Sequence, residues 1–303
     1  DHARGLITAA IRDARLDSLP AISNNQQMQD IFYRPQVLMN HTLSVSGGTD
    51  KYSNYTSLAY TDNQDYIPES KDRTYKLNTR HDYLFTKSIK AYIIGDISNR
   101  RTERNRAITP DNRFLPYQLL RDADGKNLTM PYLGYLPNEA ITPIENLTGR
   151  KLSYNPIDNQ ETGFTNSNAF MARFTGALTL TLYKGLRYQG IVGYIRGTNK
   201  TEAYDDNTNY EQTVQLLRFA QNNSGNIKYN LPNTGGRYNV TNITDENWTV
   251  RNQLVYDKSW RNQLHQLNLL AGHEVQEQKN ITGSSLVYGY NLNAETSVLL
   301  DYY

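Results

Sequence analysis

The chain has 303 residues, 38% of them hydrophobic, with 24 tyrosines, no cysteine, and a net charge of +2 from 32 basic and 30 acidic side chains. The lack of cysteine removes disulfide frameworks, thiol catalysis and cysteine-ligated zinc, and the balanced charge gives no reason to expect a nucleic-acid partner. No run approaches the roughly 18 apolar residues that a membrane-spanning helix needs.

At the start, no charged-then-apolar leader is seen at Asp1, so the chain is expected to be a piece of a longer, processed protein. Leu6, Ile7, Ala10, Ile11 and Ala14 recur at helical spacing before Pro20, which predicts a short amphipathic helix within a loop covering 1–39. The stretch NHTLSVSGGTDKYSNYTSLAYTD, 40–62, alternates, turns at Gly47-Gly48 and alternates again, which predicts a hairpin. Its hydrophobicity is thin: Leu43 and Val45 make one stripe, and Leu58 and Tyr60 another.

The period of two strengthens further on. Tyr75, Leu77, Thr79, His81 and Tyr83 alternate with Lys76, Asn78, Arg80 and Asp82, and Ile89, Ala91, Ile93, Gly95 and Ile97 form the apolar side of the next strand. From Phe170 to Leu182 the even positions are apolar, and Arg173 and several threonines stand between them. Leu186 to Tyr194 repeats the pattern. So do Trp248 to Tyr256, broken by Asn252, and His265 to Ala271.

Eight strands result, with short links at 47–51, 84–88, 183–185 and 257–262 and long ones at 61–74, 99–167 and 198–243. The 99–167 stretch carries six of the ten prolines, and so long a loop counts against a compact soluble domain. Tight turns on one side and long loops on the other are the plan of an outer-membrane barrel, in which one strand face meets lipid and the other a wetted lumen. The expected fold is therefore all-β, an antiparallel transmembrane β-barrel segment with long extracellular loops. Strands fill 40–274, and 275–303 forms a loop or the start of another strand. A soluble antiparallel sandwich also alternates and stays open as the alternative. Tyr75, Tyr83, Tyr183, Trp248, Tyr256 and Trp260 stand where aromatic girdles would lie, and strands such as 168–182 have spanning length. The lipid-facing set is Phe174, Leu178, Leu180, Leu182 and Val192. Eight strands with two open edges would leave backbone groups unpaired in lipid, which again points to a longer barrel.

The segment QQMQDIFYRPQVLMNHTLSVSGGTDKYSNYTSLAYTDNQDYI resembles the early barrel region of SusC/RagA-type TonB-dependent outer-membrane transporters. Gln29 to Phe32, Arg34-Pro35, His41 to Gly48 and Leu58 to Asp62 carry the likeness, with Thr42 where the family usually has Asn. Tyr75 to Asp82, Tyr183 to Leu186 and Leu267 to Glu274 resemble later strands. The resemblance implies part of a 22-stranded barrel enclosing a plug that lies outside this chain. It also implies multi-pass residence in a Gram-negative outer membrane and import of oligosaccharides or peptides. The implied partners are the TonB complex, reached through the plug, and a SusD-like surface lipoprotein.

Substrate contacts are expected from Arg196, near the outer end of its strand, from Arg251 on a lumen face, and from Tyr117, Tyr132 and Tyr135 in the long loop. Those tyrosines could equally pack the loop against itself. Arg100, Arg101, Arg104 and Arg106 could meet lipopolysaccharide phosphates or an anionic substrate, or form a solvated loop base. His273-Glu274-Val275-Gln276-Glu277 lacks the second histidine of a zinc-protease helix, and Asp122-Ala123-Asp124-Gly125 reads as a turn and not a calcium loop. No catalytic set, metal site or cofactor is expected. The function read from the residues and the resemblance is nutrient uptake through a barrel lumen, with a soluble or surface-attached β-rich carbohydrate-binding module as the alternative.

Overall fold

The computed structural model describes residues 5, 7–105, 114–130, 134, 136 and 138–298. Its body is one antiparallel sheet in the order β1 (Val37–Thr49), β2 (Tyr52–Gln64), β3 (Ser70–Thr86), β4 (Ile89–Asn105), β5 (Gly163–Tyr183), β6 (Leu186–Asp205), β9 (Gly236–Trp260) and β10 (His265–Tyr290). A small hairpin, β7 (Ala220–Asn223) with β8 (Asn226–Tyr229), stands apart. Each strand pairs with its neighbours in chain order, and β1 and β10 pair on one side only, so the described sheet is open. The links β1–β2, β3–β4, β5–β6 and β9–β10 are tight turns at one end. Gly185 makes the β5–β6 turn at φ +83°, where a Cβ would lie 2.1 Å from the Asp257 carbonyl oxygen.

The strands outrun the sequence expectation at the long-loop end. β5 begins at Gly163, β6 reaches Asp205, β9 begins at Gly236, and β10 runs to Tyr290, into the stretch 275–303 expected as a loop or the start of another strand. The physical reason lies in the solvents. Apolar alternation is needed only where one face meets something apolar, so strands that continue into water keep their ladders without the sequence signature.

Alternate residues sort the sheet into two faces. One carries Leu43, Leu58, Leu77, Ile97, Phe174, Leu178, Val192, Val250 and Val275, and the other carries Ser44, Ser57, Asn78, Asp96, Arg173, Gln189 and Arg251. No second sheet covers the apolar face among the described residues: Phe174 is 45% exposed, Leu178 38% and Val192 48%. A stacked sandwich would bury these side chains, and a contiguous bare patch of this kind marks a membrane or protein contact.

The fully buried hydrophobics lie elsewhere, at the long-loop end. Phe32, Leu120, Met130 and Ile157 make one cluster, and Leu152, Tyr210 and Val214 another. They tie helices α2 (Asn25–Phe32), α3 (Asn138–Thr148), α4 (Pro156–Gln160) and α5 (Tyr210–Arg218) to the segment 114–130. The expected N-terminal helix is α1 (Ala9–Ser18), closed by a 3-10 turn over Leu19–Ala21 and capped by the Thr8 hydroxyl, which accepts from Ile11 N.

Candidate functional site: a polar wall, an apolar band and a folded cap

On the apolar face, aromatic rings occupy two levels. Tyr60 meets Tyr75 at 5.1 Å with His41 beside it, and Tyr52 meets Tyr83 at 5.0 Å. Tyr52 to Tyr60, Tyr75 to Tyr83 and Trp248 to Tyr256 are each separated by eight positions on this face. His41, Tyr60 and Tyr75 share one row, as do Tyr52 and Tyr83, but between β3 and β9 the levels shift. The row of Tyr75 passes through Asn99, Phe170, Thr198 and Thr244, but the ring on β9 is Trp248, four residues nearer the tight turns. The row of Tyr83 passes through Ala91, Leu178, Gly190 and Asn252, and the ring is again four residues lower, at Tyr256.

Four residues over four strand steps is one residue per strand. With about 3.3 Å per residue and about 4.8 Å between strands, horizontal belts then require strands tilted by about 35°. Eight residues span about 26 Å along the strand, hence about 22 Å along the normal, close to the ~25 Å apolar band of outer-membrane barrels.

Some polar groups within this band bond one another, while His273 and Asn54 on the same face have no hydrogen-bond partner among the described residues. The Tyr188 hydroxyl donates to Asn252 Oδ1 at 2.5 Å, and the phenol passes over Gly190, whose Cβ position would lie 2.9 Å from it. The Tyr52 hydroxyl, His81, Thr79 and Thr56 form a chain of contacts at 2.8, 2.9 and 2.9 Å.

The opposite face is a wall of cross-strand polar pairs. Arg251 is paired with Glu274, Arg187 with Asp257, and Gln253 with Gln189. Arg80 makes two 2.8 Å bonds to Asp82 and lies 4.9 Å over the Tyr92 ring. Nearer the long-loop end, Asp72 accepts from Thr102 at 2.5 Å and sits 3.1 Å from Arg100 and 3.9 Å from Arg104. Burial works against its charge, but the bonds from Thr102 and Arg100 and the charges of Arg100 and Arg104 hold its carboxyl below the usual carboxylate range.

The cap folds over this wall. Gln215 of α5 donates to the Tyr288 hydroxyl at 2.6 Å and accepts from Arg237 at 3.1 Å, and Arg237 and Tyr288 are cross-strand partners. The Arg237 guanidinium grips the buried Asp205. Asn24 fixes α2 by donating to the carbonyls of Leu115 and Gln118 at 2.9 and 2.8 Å, and Gln27 accepts from the Leu120 and Arg121 amides. α5 starts on Asn209, whose Oδ1 accepts from Gln212 N.

Of the expected substrate residues, Arg251 is on the polar wall, but it is neutralised by Glu274 and stands away from the cap. Arg196 is on the other face. Its register partners are Ala172 and Glu246, and it shares parity with Val192 and Tyr194, so the expectation that it borders the lumen is corrected. Tyr117 lies half-buried in the 114–121 segment, while Tyr132 and Tyr135 fall outside the described residues. Leu182 is 55% exposed and Leu180 half-buried on the apolar side.

The arginine cluster divides: Arg100 and Arg104 face Asp72 on the polar wall, and Arg101 pairs in register with Arg73 on the apolar-face side. Arg106 lies outside the described residues. Asp122 accepts from the Asp124 and Lys126 amides, closing a turn at Gly125. His273 to Glu277 are mid-strand in β10. Among the described residues no group of three His, Asp or Glu side chains comes together to hold a metal. Asp72, Asp205 and Arg237 carry no local pattern in the sequence, Asp72 meeting its arginines diagonally across β4 and Asp205 facing Arg237. Their only signal is opposite charge across strands, which needs the register to be seen.

The fold has clear parallels. Chains of the RagAB peptide importer in the closed-closed state (TM-score 0.62, 19% identity) and in the open-open state (0.60, 18%), and of the RagAB peptide transporter (0.61, 16%), superpose on 90% of this chain. This chain spans about a quarter of their length, 27% in each case. No family model matches the sequence, and comparison with curated proteins finds no match. No helix among the described residues is long and apolar enough to cross a membrane, which says nothing about strands.

Proposed function

We propose that this chain is part of the wall of a TonB-dependent outer-membrane transporter of the SusC/RagA type. The parent protein moves a nutrient, an oligosaccharide or a peptide, along the polar face by gated passage and performs no chemistry on it. The observation that carries the reading is the bare apolar face, bounded by aromatic levels that fall by an average of one residue per strand from β3 to β9, opposite a wall of ion pairs. Water on one side and acyl chains on the other explain both faces at once. The likeness to RagAB chains supports the fold on which this rests and inclines the cargo toward peptides.

In this reading the long-loop end is extracellular, and the cap with α5 stands over the mouth of the lumen. A SusD-like lipoprotein meets the cap, and the TonB complex acts through a plug supplied by the rest of the protein. A soluble carbohydrate-binding module would leave a band of Leu, Val, Ile and Phe side chains facing water.

The test uses the full-length parent in its native cells. It should sediment with the outer membrane, migrate faster on gels when unheated, and support uptake of a fluorescent peptide or oligosaccharide mixture that stops when TonB is deleted. Recovery in the soluble fraction, or uptake unchanged by loss of the protein, overturns the proposal.

A further inference from the structure

Above the upper belt the apolar-face side of the sheet carries a second aromatic group. Phe164 and Tyr204 are register partners with ring centroids 5.7 Å apart, Tyr204 is the partner of Tyr238, and Tyr238 stacks on Tyr290 at 4.4 Å and 11°. Tyr204 follows Tyr194 by ten residues on β6, about 33 Å along the strand and about 27 Å along the normal at the tilt derived above. On the membrane reading proposed above, this aromatic group stands well outside the bilayer, so greasy contact does not explain it.

Beside it lies a cavity of about 570 Å³, lined by Tyr204, Asp206, Tyr290, Asn293, Thr296 and Ser297. Its floor is tightly specified. Gly235 and Gly289 stand at φ +72° and +69°, a Cβ on Gly235 would come within 2.6 Å of the Gly289 carbonyl carbon, and one on Gly289 within 2.7 Å of Pro232. Only glycine fits at these two positions, because the backbone is left-handed and a side chain has no room.

The polar inventory of the cavity is specific. The Tyr238 hydroxyl is taken by Glu202, which Lys200 also approaches at 2.9 Å, but the hydroxyls of Tyr204 and Tyr290 make no bond among the described residues. Asp206 uses Oδ1 for Thr208 and Asn209 and leaves Oδ2 open. The side chains of Asn293, Thr296 and Ser297 likewise have no hydrogen-bond partner among the described residues. Two aromatic faces, two phenols, an amide, two aliphatic hydroxyls and one carboxylate suit a neutral polyol, and the carboxylate repels phosphate.

The geometry points to a saccharide-binding site in this cavity, on the outward wall of the extracellular rim and separate from the lumen. A sugar ring lies against Tyr204 or Tyr290 and its hydroxyls bond the free phenols, Asp206 Oδ2 and the 293–297 side chains. The sugar is either a glycan tethered in the outer leaflet or a free oligosaccharide.

The test measures binding to the full-length protein in nanodiscs, with two probes: polysaccharide released from lipopolysaccharide by mild acid, and maltoheptaose. Tyr204→Phe and Tyr290→Phe, which lose no intramolecular bond, should each weaken binding about five-fold. Ser297→Trp, on the exposed loop, should fill the cavity and abolish binding. Preference for the lipopolysaccharide-derived probe assigns the tethered source, and preference for maltoheptaose the free one. Heat-modifiable migration of each variant checks the barrel separately. Binding of neither probe, or equal affinity in all three variants, overturns the proposal.

Discussion

Replacing Leu178 by arginine puts a cation on the apolar face at a depth the belts define. On β5 the upper belt falls near Ala172 and the lower near Leu180, two positions from the rows of Tyr75 and Tyr83, which places the midplane at Gly176. Leu178 is then about 5 Å from the midplane within a half-thickness of about 11 Å. Arginine costs about 2–4 kcal/mol at the midplane of such a barrel and about 0–1 near its interfaces. The expected penalty for Leu178→Arg is therefore about 2–3 kcal/mol. Leu180→Arg, at the belt, and Leu182→Arg, beyond it, should cost about 1 kcal/mol or less. Thr179→Arg points to the polar wall and should cost little. The assay is reversible denaturant unfolding of the full-length protein in lipid vesicles, with slopes compared so that only stability is read. Equal penalties at Leu178 and Thr179, or a larger one at Leu182 than at Leu178, would refute the facing and the depth.

Other outcomes follow from the same geometry. Tyr188→Phe leaves the Asn252 amide unpaired near the midplane and should destabilise by about 1–2 kcal/mol, while the double variant Tyr188→Phe with Asn252→Leu removes both partners and should be near neutral; both are read in the same titration. Asn24→Ala removes two bonds that hold α2 to the 114–121 segment and should speed proteolysis of that segment, leaving the barrel's heat-modifiable migration unchanged. Asp72 has a depressed carboxyl pKa, so its contribution is fully present above the ordinary value near 4 and is lost as pH falls through the lower folded value. Amide-exchange protection at the outer ends of β3 and β4 should drop on acidification below about pH 4, and Asp72→Asn should flatten that dependence.

The alternating parts of the fold are legible because one face of the sheet is apolar and the other polar: Phe170 to Leu182 states its own facing. Beyond the belts both faces are wet, and β9 and β10 extend through residues such as Asn242, Asn280 and Ser284 that carry no such alternation. Helices α2 and α5 had a faint signal in Met28, Ile31 and Phe32 and in Tyr210, Val214 and Leu217, but it sat inside stretches whose polarity read as loop. The facing of Arg196 is legible in the sequence, since Val192, Tyr194 and Arg196 share parity in an unbroken strand. The cap was hidden for a different reason: Asn24, Gln27 and Asn155 reach backbone carbonyls and amides dozens of residues away, and no local pattern announces such bonds. The pairing of Asp72 with Arg100 and Arg104 likewise depended on register.

The central claim is that one face of this sheet touches acyl chains and the other an aqueous interior. This chain has no cysteine, so single cysteines can be introduced for spin labels without removing any from it. Labels at Phe174, Leu178 and Val192 in the full-length protein in bilayers should collide more with oxygen than with a water-soluble nickel chelate, and labels at Thr175, Thr179 and Arg251 should show the reverse. Identical accessibilities on the two sets, or oxygen preference on the second, would contradict the account.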